Sequence, residues 1–98
     1  MKRFNTVRFL RWDCRVELRR YRNGHRSIHL VDKETDEPIA CATLNIPWYP
    51  LDEDAVIIKD YSENQGMMDA LREAGIIEPM GIQVSAGYAE AEVCRLCL

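Results

Sequence analysis

Period-two alternation dominates the first third of the chain. Val7 and Phe9 alternate with Thr6 and Arg8, and Cys14, Val16 and Leu18 alternate with Arg15, Glu17 and Arg19. This spacing predicts strands with one apolar and one charged face. Asn23-Gly24 supplies the left-handed dihedrals of a tight turn, and Ile28 and Leu30 then resume the alternation. Lys33–Glu37, with Pro38 behind it, reads as a second polar turn. Ile39–Ile46 reads as a further strand whose small residues invite close packing. The pattern predicts a meander of three or four strands over about residues 6–46, with its basic groups on the outer face.

The pattern breaks at Pro47-Trp48-Tyr49-Pro50, because each proline lacks the donor a central strand needs. Asp52-Glu53-Asp54 follows as an acidic loop, so residues 47–54 are expected to be irregular. Ala55-Val56-Ile57-Ile58 is a short apolar run of the kind found in buried strands. Beyond it the period changes to that of a helix. Met67, Met68, Leu71 and Ala74 form an apolar stripe, and Ser62-Glu63-Asn64-Gln65 fits a capping box with Ser62 as N-cap. Gly75 stands where a left-handed C-terminal cap belongs, which bounds the helix at about 63–74. Gly66, inside that span, costs about 1 kcal/mol against alanine and reads as a tolerated glycine. The chain then turns at Met80-Gly81. Closing strands are expected over about 82–98, around a loop at Ser85-Ala86-Gly87.

These elements make one α+β domain: an antiparallel sheet of about five or six strands with one main helix packed on it. At 98 residues the chain is long enough for a single core. No apolar run approaches the roughly 20 residues of a membrane span, and arginines interrupt the start where a signal peptide would lie. A cytoplasmic protein with free thiols at Cys14, Cys41, Cys94 and Cys97 is the expectation.

Charge changes the picture more than composition does. Residues 1–29 carry nine basic and two acidic side chains, a net of +7, whereas residues 30–98 carry four basic and fourteen acidic ones, a net of −10. The overall −3 conceals this split, which concerns association and partners.

From Ile57 onward particular motifs stand out. Ile57-Ile58-Lys59-Asp60-Tyr61-Ser62-Glu63-Asn64-Gln65-Gly66 is followed by Leu71-Arg-Glu-Ala-Gly75-Ile-Ile-Glu-Pro79, then by Gly87-Tyr88 and a terminal Val93-Cys-Arg-Leu. These residues resemble a family of small bacterial proteins without assigned function, found in the genomes and mobile elements of gut bacteria and in their phages. The resemblance covers roughly the last 40 residues, and the arginine-dense N-terminus departs from it. It carries over no catalytic residue. It implies a mobile-element setting, in which small acidic proteins inhibit host defence complexes, anti-CRISPR proteins among them.

Candidate chemistry is sparse. Cys94-x-x-Cys97 and His25-x-x-x-His29 have metal-ligand spacings, but residues three apart on a strand point to opposite faces, so no metal or other cofactor is expected. Asp60, Glu63, Asp69 and Glu73 are spaced carboxylates; Asp60 and Ser62 read as residues leading into the helix and the others as its solvated face, so an enzyme is not expected.

Two surfaces remain as candidates for partner binding. Arg8, Arg11, Arg15, Arg19, Arg20, Arg22 and Arg26, interleaved with Phe9, Trp12 and Tyr21, would grip phosphates or an acidic protein. They would alternatively pair with the acidic half, within one molecule or across a homodimer. Trp48 and Tyr49, with Asp52, Glu53 and Asp54, would offer an aromatic anchor beside charges that imitate phosphates. The leading expectation is a non-catalytic accessory factor that occludes a surface on a host nuclease or defence ribonucleoprotein. Direct nucleic-acid binding through the arginines is the second expectation.

Overall fold

The computed structural model describes residues 6–97, so Lys2 and Arg3 of the basic segment and Leu98 of the closing strand lie outside the described residues. The N-terminal alternation forms β1 (Thr6–Phe9) and β2 (Trp12–Arg20), paired antiparallel across the two-residue turn Leu10-Arg11. Leu10 holds a left-handed φ of 56° there, a conformation that costs a side-chain-bearing residue about 1–2 kcal/mol. β3 (Arg26–Asp32) returns along β2. Its turn is one residue longer than Asn23-Gly24 alone predicts. The Tyr21 N–H bonds the His25 carbonyl at 2.8 Å around Arg22-Asn23-Gly24, and only Gly24 is left-handed. β4 (Pro38–Cys41) completes a sheet of order β1-β2-β3-β4.

The strand expected over Ile39–Ile46 is cut in two by a change of partner. At Ala42 the N–H donates to Ile28 of β3 at 2.8 Å, while the carbonyl accepts from the Lys59 N–H at 2.9 Å. Thr43 bridges Ile58, and the Leu44 N–H bonds the Ile57 carbonyl. The chain thereby passes from one sheet to a second, built from β5 (Ala55–Ile58), β6 (Ile77–Ala86) and β7 (Ala89–Leu96) in the order β5-β7-β6. The α+β class holds. The described residues form seven antiparallel strands in two sheets, where the pattern had predicted about five or six in one.

The closing hairpin begins at Ile77 rather than near 82. Pro79-Met80-Gly81 does not end the strand; it is absorbed as a register shift between Pro79 and Ile82, with Gly81 at φ 75°. Ala86 pairs with Ala89, so the expected loop at Ser85–Gly87 shrinks to the two-residue turn Gly87-Tyr88.

The helix α1 (Met67–Glu73) is shorter than expected, and the capping-box reading fails. Ser62–Asn64 is a separate 3₁₀ turn, and the Ser62 side chain caps nothing. Gly66 is the N-cap at φ 95°, so glycine is there for its backbone conformation rather than merely tolerated. The cap comes from Asp60, whose Oδ1 accepts the Met68 N–H at 2.8 Å. The C-terminus follows the sequence reading. The Gly75 N–H bonds the Arg72 carbonyl and the Ile76 N–H bonds that of Leu71, the paired bonds of a Schellman cap.

Two apolar clusters result. Val7, Phe9, Cys14, Ile28 and Leu30 of the first sheet meet Met67 and Leu71 of α1 and Val56, Ile58, Cys94 and Leu96 of the second sheet. The opposite face of the second sheet, with Ile57, Val84, Ala91 and Val93, is covered by Leu44, Ile46, Tyr49 and Leu51. The second sheet is therefore buried on both faces, which accounts for the unbroken apolar run of β5.

Candidate interaction surface

Strand register decides what the arginines do. Arg15 and Arg19 share the outer face of β2 with Asp13 and Glu17, and Arg8 lies opposite Asp13 on β1. Each finds a carboxylate: Arg8 meets Asp13 at 3.2 Å, Arg15 meets Glu17 at 2.8 Å and Asp36 at 2.5 Å, and Arg19 meets Glu17 at 2.5 Å. The hydrogen bond from Arg19 is the chief reason the Glu17 carboxyl titrates below the ordinary glutamate range. His29, opposite Glu17 on β3, is drawn below its usual value by burial and then by Arg19, and its Nε2 lies 3.0 Å from the Ser27 hydroxyl. The outer face is thus a ladder of alternating signs rather than a basic patch.

Arg20 belongs to the other face, directly opposite Arg26 in the register. Two like charges facing each other across a strand pair repel. Glu53 resolves the conflict from the acidic loop, accepting hydrogen bonds from Arg20 and, at 3.1 Å, from Arg26. These two bonds hold the Glu53 carboxyl below its usual range. The two halves of the charge split are therefore bridged inside one molecule. Arg11 stacks over Trp12 at 4.9 Å in one turn, and Arg22 is exposed in the turn at the far end of β2, roughly 30 Å away at the usual rise per strand residue. The arginines do not form one surface.

The loop over 47–54 separates its two aromatics. Tyr49 packs on the second apolar cluster, and its N–H bonds the Ile46 carbonyl at 3.0 Å. Trp48 stands out at 72% exposure, edge-on to the Tyr49 ring with centroids 6.0 Å apart. Asp52 and Asp54 are exposed in the same loop. Their carbonyls tie the loop down, accepting the N–H groups of Ala55 and Leu96. The loop thus presents an exposed indole and two carboxylates on a backbone fixed at several points, while Glu53 is committed to arginines.

The remaining candidates scatter. Cys94 is buried and Cys97 exposed, and among the described residues no three of His, Cys, Asp and Glu gather as a metal site would require. Burial, with help from Glu92, pushes the Cys94 thiol up to about 12; burial beside Asp32 and Asp13 pushes Cys14 up to about 11. Glu63 pairs with Lys59 at 2.7 Å. A cleft of about 350 Å³, unmarked by any pattern along the chain, is lined by Trp12 and Ile39 and by the Lys59–Glu63 pair. Polar groups that line it have partners: Thr43 Oγ1 lies 2.9 Å from the Tyr21 hydroxyl, and Asn64 Nδ2 donates to the Cys41 carbonyl at 2.8 Å. Among the described residues no helix is long and apolar enough to cross a membrane. Comparison with known proteins finds no matching family model, no matching curated protein and no matching solved structure.

Proposed function

We propose that this chain is a non-catalytic protein-binding factor of a phage or mobile element, which inhibits a host defence complex by occluding one of its binding surfaces. The observation that carries the reading is Trp48: a large exposed indole on an anchored loop that also carries the exposed Asp52 and Asp54. Exposed aromatics of this kind are the residues that dominate protein interfaces. The adjoining acids suit a partner surface built to hold phosphates, and they speed the encounter with it. The resemblance of the C-terminal motifs to small phage and mobile-element proteins supports the setting. Direct nucleic-acid binding draws less support, because Arg8, Arg15, Arg19, Arg20 and Arg26 already have carboxylate partners.

Affinity capture from lysate of a bacterium carrying a CRISPR nuclease complex tests this, with wild type and Trp48→Ala as matched baits. Retention of the nuclease by wild type and its loss with Trp48→Ala is the expected result. Retention indifferent to Trp48, or no retention even in low salt, would overturn the assignment of this surface.

A further inference from the structure

β6 is the outer strand of the second sheet and is ten residues long. Such an edge offers a row of unpaired N–H and C=O groups, which proteins guard with prolines, lysines and bulges. Here the guard protects only the first half of the strand, through Pro79 and the bulge at Gly81. From Ile82 to Ala86 the strand is regular and contains neither a charge nor a proline. The direction of its backbone groups follows from the hairpin. Ala86 and Ala89 flank a two-residue turn, and the pair closing such a turn is hydrogen-bonded. Alternation turns Val84 and Ile82 toward β7 as well, and sends the N–H and C=O of Gln83 and Ser85 outward.

We propose that the Ile82–Ala86 edge pairs antiparallel with the same edge of a second copy of this chain, about a two-fold axis at Val84. In that register Gln83 exchanges both backbone hydrogen bonds with Ser85 of the second copy, and the two three-stranded sheets become one of six strands. Beyond the two ends of the paired segment, Met80 in the bulge is 44% exposed and Tyr88 in the turn is completely so. The occupant is a second copy because the strand is self-complementary and neutral. Two acidic chains meet there without bringing like charges together. Five paired residues make a small interface, so the dissociation constant falls at roughly 10–100 µM.

Sedimentation equilibrium of the whole chain over roughly 5–500 µM brackets that range. Wild type is expected to dimerise reversibly. Gln83→Lys places a charge on the exposed edge, and Ser85→Pro removes an outward donor; each is expected to weaken the dimer by about tenfold or more. Gln83 is exposed, so its variant keeps the fold, which an unchanged melting temperature verifies. A wild type that stays monomeric throughout overturns the proposal and leaves the edge to an extended segment of another protein. A dimer indifferent to both substitutions overturns it as well.

Discussion

Glu53 lies between two guanidinium groups that would otherwise face each other, and its carboxyl titrates low because both donate to it. A carboxyl whose folded value is depressed contributes stability above its unfolded value, near 4.3, and loses that contribution as the pH falls through the folded one. Between about pH 5 and 3 the wild-type denaturation midpoint is therefore expected to drop more steeply than that of Glu53→Gln, which lacks the titrating group. Superimposable acid profiles would show that the bridge does not form in solution. The four thiols offer a second check at this scale. Cys14 and Cys94 are buried and hold their protons, whereas Cys41 and Cys97 are exposed. Iodoacetamide at about pH 8 is expected to modify Cys41 and Cys97 and spare the other two until the chain is unfolded, as mass spectrometry of peptides would reveal.

At the scale of elements, the start of α1 departs most from its local signals. Gly66 takes a left-handed φ with open space around it, so a methyl group meets no obstacle there but still strains the backbone. Gly66→Ala is expected to destabilise by about 1–2 kcal/mol, and Asp60→Ala by about 1 kcal/mol through loss of the cap on Met68, both read from urea midpoints. An unchanged midpoint for both would mean that the helix starts earlier, as the capping-box pattern implied. The strands were legible because period-two alternation reports which face is buried, and it located β2 and β3 closely, while the unbroken apolar run marked β5, whose sheet is buried on both faces. The partner switch at Ala42 left no mark in that pattern, since a strand passing between two sheets keeps its alternation. Pro79 and Gly81 looked like a turn for an equally physical reason: an edge strand tolerates a missing donor and a bulge where a central strand would not. The candidate surface was legible only in its residue types. That Trp48 faces solvent while Tyr49 closes a core depends on what the second sheet needs covered, and that is fixed far along the chain at Val84, Ala91 and Val93.

At the scale of the whole molecule, the opposed charges of the two halves turn out to hold each other. Hydrogen bonds from Arg20 and Arg26 fasten the acidic loop to the basic hairpin, and the outer arginines alternate with carboxylates along β1 and β2. The proposed contact with a host partner then rests on the exposed indole of Trp48, on a loop that also carries the exposed Asp52 and Asp54. Because Trp48 is exposed, Trp48→Ala is expected to shift stability by less than about 0.5 kcal/mol, so its effect on function reads the contact itself. The most direct measurement is the plating efficiency of a targeted phage on cells with an active CRISPR nuclease that also express this chain. Wild type is expected to restore plaques by orders of magnitude and Trp48→Ala to restore few or none. No rescue by wild type, or full rescue by Trp48→Ala, would contradict the account.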